Sequence, residues 1–164
     1  MTDVRFKRKL AAILSADVKG YSRLMGEDEE ATIRTLTEYR EALSEKVAFR
    51  HGRVVDSPGD NVLAEFGSVV DAVKCAVEIQ KVIGERNATL SENRRMLFRI
   101  GVNLGDIVEE EGRIYGEGVN IAARLEGLAE GGGICISNSV YDQIKNKLPF
   151  GFEYTGEHAV KNIR

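Results

Sequence analysis

The stretch FRIGVNLG at residues 98–105 alternates without exception, with Phe98, Ile100, Val102 and Leu104 on one side and Arg99, Gly101, Asn103 and Gly105 on the other. A period of two is that of a β-strand, whose successive side chains point to opposite faces of a sheet. The apolar side must be covered by other apolar groups. The other side has no bulk at Gly101 or Gly105, so it admits the close approach of another backbone or of a ligand. A chain carrying this strand folds around a sheet with two unlike faces.

The remaining segments supply the layers. Residues 10–17, LAAILSAD, read as a buried strand ending in a carboxylate, and a turn at 18–20 leads into a helical stretch. From about 28 to 50, Ile33, Leu36, Leu43 and Val47 recur at helical spacing. In GRVVDSPGDNVLAEFG, residues 52–67, Pro58 presets its own φ and Gly59 tolerates φ > 0, so a hairpin joins strands at 53–57 and 61–66. SVVD at 68–71 opens a helix that buries Val69, Val73, Ala76, Val77 and Ile83. Beyond the alternating strand, EEEGRI at 109–114 is expected as an exposed turn and 118–129 as a helix with a glycine stop. ICIS forms a short strand, 138–147 a small helix and FGFEYTG a further strand, while HAVKNIR begins a strand without enough chain to finish it. Strand, helix, strand, strand, helix, strand is the order of a split βαβ unit. The expected fold is therefore α+β and ferredoxin-like (βαββαβ), its antiparallel-rich sheet covered by helices on one face and extended by C-terminal elements.

At 164 residues and 43% hydrophobic composition the chain suits one globular domain. Its 23 basic and 26 acidic residues give a formal charge of -3, which provides no global field for nucleic acid or an anionic membrane. The open sheet face also lacks the aromatic pair of an RNA-binding sheet. Cys75 and Cys135 stand isolated in apolar surroundings, as reduced buried thiols do, and the chain has neither an 18-residue apolar run nor a leader pattern. These features point to the cytoplasm. Any anchor is expected outside this segment.

Two pairs of residues carry the candidate chemistry. Asp17 ends a buried strand, where an unpaired charge is costly, and the hairpin that bears Asp60 can lie beside that strand. Together the two carboxylates suit a divalent cation such as Mg²⁺, with the Val18 carbonyl as a further oxygen donor. Helix capping by Asp17 and turn formation by Asp60 are the plain structural alternatives. Asn120 and Arg124, four residues apart on a helix, share one side of it. The guanidinium fork matches phosphate oxygens and the amide can orient a sugar hydroxyl; a solvated arginine and a helix-end asparagine are the alternatives.

SADVKGYSRLM, SPGDNVLAEFG and GEGVNIAARLEGLA, in that order, resemble the catalytic domain of class III nucleotidyl cyclases, the adenylate and guanylate cyclase family, over nearly the whole chain. The resemblance implies a homodimer with shared active sites, each converting a nucleoside triphosphate, ATP or GTP, to a 3',5'-cyclic nucleotide and pyrophosphate with two Mg²⁺ or Mn²⁺ ions. It implies that Asp17 and Asp60 bind metal, Asn120 positions the ribose, Arg124 stabilises the transferring phosphoryl group and Lys161 contacts phosphate. No protein base is required, so His51 and His158 are not expected as catalysts. It also implies that residues 1–164 are a catalytic domain cut short at its C-terminal end, with regulatory domains elsewhere. A catalytically silent nucleotide-binding or dimerisation module is the alternative.

The sequence departs from the adenylate cyclase pattern where the base is read. The family's lysine four residues before the second metal aspartate is Asp56 here, and its aspartate or threonine seven residues before the helix asparagine is Arg113. The polarity is reversed. An acidic Asp56 facing the N1 and N2 donors of guanine, and a donating Arg113 facing O6, fit guanine better than adenine; mutual pairing of the two side chains, or exposure of Arg113 to water, are the alternatives.

Overall fold

A computed structural model of the chain describes residues 7–55, 58–154 and 160–163, with side chains described as far as residue 151. Two long strands, β1 (Lys7–Val18) and β4 (Phe98–Glu110), lie antiparallel along their full length at the centre of the sheet. Between them in sequence come α1 (Tyr21–Glu27), α2 (Glu29–Phe49), the strands β2 (Arg53–Val54) and β3 (Val62–Phe66), and α3 (Val69–Asn87). The spatial order β2-β3-β1-β4 is that of a ferredoxin-like core. After it come β5 (Arg113–Tyr115), α4 (Glu117–Leu128), β6 (Ile134–Ser137), α5 (Asn138–Ile144), β7 (Phe152–Tyr154) and β8 (Val160–Ile163). β6 adds parallel to β4, and β8 and β7 follow it outward.

The helix ends follow from their caps. The Asp28 carboxylate accepts a hydrogen bond from Ala31 N at 3.0 Å and the Ser68 hydroxyl one from Asp71 N at 3.2 Å, each satisfying a backbone donor that the first turn leaves without a partner. The exposed turn expected at 109–114 is narrower in the structure: Glu111 and Gly112 form it, at the tip of a hairpin in which β4 runs on to Glu110 and β5 starts at Arg113. The long run of acidic residues there conceals the strand from a hydrophobic pattern.

α2, α3 and α5 cover the face formed by Leu14, Ala16, Val62, Ala64, Phe98, Ile100 and Val102 and build the main core with Leu36, Leu43, Ile79 and Val140. The expectation that helices cover one face only is corrected by α4, which lies across the opposite face against β1 and β4. The cause is the glycine side of the alternating strand: a Cβ at Gly101 would come within 2.4 Å of both Ala122 O and Glu126 N. Gly105 meets Gly118 in the same way, and Asn103 Nδ2 donates to Gly118 O at 3.1 Å. The helix backbone occupies the space that side chains would fill.

Both cysteines are buried and unpaired, and burial pushes Cys75 up to about 12 and Cys135 up to about 11, so neither is a ready thiolate. Among the described residues no helix is long and apolar enough to cross a membrane.

Candidate active site

The C-terminal end of β1 and the turn that enters β3 form one acidic corner. β1 pairs with β3 so that Ala16 stands opposite Val62, which brings Asp17 to the same end of the sheet as Asp60. Val18 N donates to Asp60 Oδ2 at 3.0 Å, fixing the second carboxylate against the backbone that carries the first. From the other side Arg40 of α2 donates to Gly59 O at 2.7 Å, and Gly59 takes φ 60. The left-handed conformation there is why glycine precedes Asp60.

Two further charged side chains enter this corner, and neither was singled out by its sequence context. Arg99 stands opposite Asp17 in the β1–β4 register and grips it with two hydrogen bonds, Nε to Oδ1 at 2.8 Å and Nη2 to Oδ2. Glu126, buried on α4, accepts from Ser15 Oγ at 2.7 Å and from Asn61 Nδ2 at 3.1 Å. It also lies in the field of the Asp17 carboxylate. The only sequence signal for Arg99 was its place on the glycine side of the alternating strand. Glu126 resembled any solvated helix glutamate.

Burial, with the Asp17 charge adding to it, pushes the Glu126 carboxyl up to about 7. An acid whose folded pKa is raised binds more protons folded than unfolded, so its contribution to stability is complete below about 4.5 and is lost as pH rises through about 7. In the presence of a chelator, the thermal midpoint should therefore fall between pH 5 and pH 8, and Glu126→Gln should flatten that fall. An unchanged slope would contradict the assignment.

Asn120 and Arg124 are both exposed on α4. Arg124 and Glu126 are two residues apart, about 200° around a helix of 3.6 residues per turn. Since Glu126 faces β1, Arg124 faces away from the acidic corner of its own chain. Around it on the outer side lie Ala123, Gly127 and Leu128, the last 42% exposed. Arg113 is exposed at the start of β5. Asp56 lies outside the described residues. Its neighbour Val55 nevertheless packs in one small cluster with Ile114, the neighbour of Arg113, and Arg53 donates to Gly112 O at 3.4 Å. Lys161 sits in β8 opposite Ile136, and its side chain is outside the described residues.

Among the described residues no three His, Cys, Asp or Glu side chains converge as a self-sufficient metal cluster. Asp17 and Asp60 instead place hard carboxylate oxygens at one half-buried corner, those of Asp17 held by Arg99. That donor set fits a Mg²⁺-like ion that takes its other oxygens from water and a phosphate.

The Adenylate and Guanylate cyclase catalytic domain model matches residues 7–163. The chain is 44% identical over 164 residues to a Rhizobium meliloti (strain 1021) protein named "Putative adenylate cyclase 3", covering 99% of this chain and 28% of that protein. It is 34% identical over 145 residues to the uncharacterized Mycobacterium tuberculosis protein Rv1359, covering 87% of this chain and 54% of that one. The chain thus spans only part of the curated relatives it matches. Among solved structures, an adenylate/guanylate cyclase/hydrolase from Silicibacter pomeroyi superimposes with a TM-score of 0.82 at 36% identity, covering 96% of this chain and 97% of that one. The adenylyl cyclase CyaB from P. aeruginosa shares the fold, with a TM-score of 0.81 at 22% identity over 98% of this chain and 96% of that one. With its ferredoxin-like core, its paired aspartates at one sheet corner and a family match along almost its entire length, the chain belongs to the adenylate and guanylate cyclase catalytic domain family.

Proposed function

We propose that the protein is a nucleotidyl cyclase that converts ATP or GTP to the 3',5'-cyclic nucleotide and pyrophosphate in a homodimer with two shared sites. The observation that carries this reading is the division of the site across opposite directions of one chain. Asp17 and Asp60 share a corner of the sheet, while Arg124 stands on the far side of α4. A second copy whose α4 faces this corner brings the arginine and the carboxylates together. On the outward side Ala123 and Gly127 allow close packing beside Asn120 and Arg124, and Leu128 leaves an apolar side chain exposed, which suits such a contact.

In this site Asp17, Asp60 and the Val18 carbonyl hold the divalent cations. Two ions of Mg²⁺ or Mn²⁺, when bound, supply the positive charge that activates the ribose 3'-hydroxyl and neutralises the triphosphate. Asn120 orients the ribose so that the 3'-oxygen lies in line with the α-phosphorus and the leaving pyrophosphate. Arg124 of the partner subunit meets the charge that grows on the α-phosphoryl oxygens. Lys161 adds a point charge for the polyphosphate. Asp56 and Arg113, whose backbone neighbours pack together, meet the base edge, and their polarity matches guanine.

Cyclic nucleotide formation from ATP and GTP in parallel, with Mg²⁺ or Mn²⁺, tests the reading. Product is expected with metal and should vanish with a chelator. A yield from GTP above that from ATP supports the guanine assignment of Asp56 and Arg113, whereas ATP preference rejects that assignment and leaves the chemistry standing. Silence with both nucleotides from a dimeric protein would favour a regulatory, nucleotide-binding module.

A further inference from the structure

The sheet closes on itself at the end away from the acidic corner. Along β1 and β4, Asp17 stands opposite Arg99 at one end and Lys7 opposite Glu109 at the other. In the sheet order β3 and β1 separate β2 from β4, yet Arg53 of β2 reaches β4 directly. Its Nη2 donates to Glu109 Oε1 at 3.0 Å, and its Nη1 donates to Gly112 O, in the hairpin turn, at 3.4 Å. The same guanidinium donates to Glu65 Oε1 of β3, from Nε at 3.0 Å and from Nη2. Lys9 of β1 completes the group, 3.2 Å from Glu65 Oε2 and 3.1 Å from Glu109 Oε2. Two cations and two carboxylates thus tie four strands together. Glu65 is 7% exposed, so its charge depends on these partners rather than on water. The bond to Glu109 raises the Lys9 pKa and the bond to Lys9 lowers that of Glu109, which keeps both charged at neutral pH.

The segments that Arg53 joins are those of the base-reading pair. Asp56 follows Arg53 by three residues, and Arg113 directly follows Gly112. Val55 and Ile114, the neighbours of that pair, pack in one apolar cluster. Apolar contact is not directional and leaves the two segments free to slide. A planar guanidinium that must meet Glu65, Glu109 and Gly112 O at once does not.

We propose that Arg53 is a positioning residue for base selection: it fixes the spacing between the segment that carries Asp56 and the turn that carries Arg113, and through that spacing the preference for one purine over the other. This rests on the cyclase reading above and on its assignment of Asp56 and Arg113 to the base edge. Arg53 touches neither the reacting atoms nor the acidic corner of its own chain.

The test compares kcat/KM for GTP and ATP in the wild type, in Arg53→Gln and in Arg53→Gln/Glu65→Gln, where the buried carboxylate leaves together with its partner. The wild type should favour one purine by about tenfold or more. In both variants that ratio should shrink by about fivefold or more, through a higher KM for the favoured nucleotide, with kcat kept within about threefold. Arg34→Gln, which removes an exposed charge on α2, should leave the ratio unchanged. In an Asp56→Ala background, Arg53→Gln should move the ratio by no more than about twofold, because a group it positions is already gone. Mn²⁺ uptake with saturating 2',3'-dideoxy-ATP or 2',3'-dideoxy-GTP, which lack the attacking hydroxyl, should match the wild type throughout. Should neither Arg53 variant fold, Glu109→Ala, at a side chain 23% exposed, cuts the fork from β4 and carries the same expected loss.

A ratio that the variants keep within about twofold would overturn the inference. So would an equal loss with both purines, which would make Arg53 part of the scaffold, or a wild type indifferent to the base. ATP preference that Arg53→Gln erodes would reject the guanine match of Asp56 and Arg113 and uphold the positioning role. A wild type without turnover and without Mn²⁺ uptake with either nucleotide would instead reject the cyclase reading and take the inference with it.

Discussion

Gly101→Ala should destabilise the protein by roughly 3 kcal/mol or more, the upper part of what overpacking of a well-filled interior costs. The added Cβ would sit 2.4 Å from Ala122 O and Glu126 N and 2.9 Å from Leu125 C, all backbone atoms of α4. No side-chain rotation relieves such a contact; the helix itself must move off the sheet. For a domain with a total stability of roughly 5–15 kcal/mol, that is a large share, and the thermal midpoint should fall by about 6–12 °C. Gly84→Ala is the control. It lies within α3 with nothing within 4 Å of its Cβ position, and helix propensity predicts a gain of up to about 1 kcal/mol. Equal midpoints for Gly101→Ala and wild type would show that α4 does not lie where the structure puts it.

Asp60→Ala should abolish cyclic nucleotide formation by about a thousandfold, equivalent to about 4 kcal/mol of transition-state stabilisation, the scale expected when a metal ligand is lost. Arg124→Ala should cost about a hundred- to a thousandfold, as removing one preorganised charge or donor at a developing oxyanion does. The two losses should differ in kind. Asp60→Ala removes metal binding along with turnover, whereas Arg124→Ala should retain Mn²⁺ uptake in the presence of a dideoxynucleotide. Neither should lower the thermal midpoint much in chelator. Asp60 is part-exposed and holds one backbone hydrogen bond to Val18, and Arg124 is exposed. A collapse of folding in either variant would assign the residue to the scaffold.

The fold was legible wherever a local rule had a single outcome. Strict alternation marked β4, the Pro58–Gly59 pair marked the turn before β3, and Ser68 marked the start of α3. The glycines at 101 and 105 announced a close approach, but not whose. Only the packed chain shows that α4 fills that face, because the choice between backbone and ligand is made by tertiary contact. The turn at 111–112 was legible in EEEGRI, but the strands on either side of it were not: β4 ends in acidic residues and β5 is three residues long, so little apolar surface is buried there to give a period of two.

Of the candidate site, Asp17 and Asp60 could be read from their places at strand ends, and the sheet register brings them to one corner. Arg99 and Glu126 could not. Their significance lies in partners 82 and 111 positions away in the chain, Asp17 and Ser15, and no local spacing encodes such a pairing. Asn61 was equally silent, since an asparagine in a turn needs no further explanation until its side chain is seen donating to Glu126.

In the proposed dimer each site draws its carboxylates from one copy of the chain and its arginine from the other. Mixing Asp60→Ala with Arg124→Ala, after dissociation and reassociation, tests it directly by cyclic nucleotide formation. Each variant alone should be inactive. Random pairing makes half the dimers mixed, and each mixed dimer rebuilds one intact site of two, so about a quarter of wild-type activity should return. A mixture as silent as its components, from chains shown to have exchanged, would contradict the shared site.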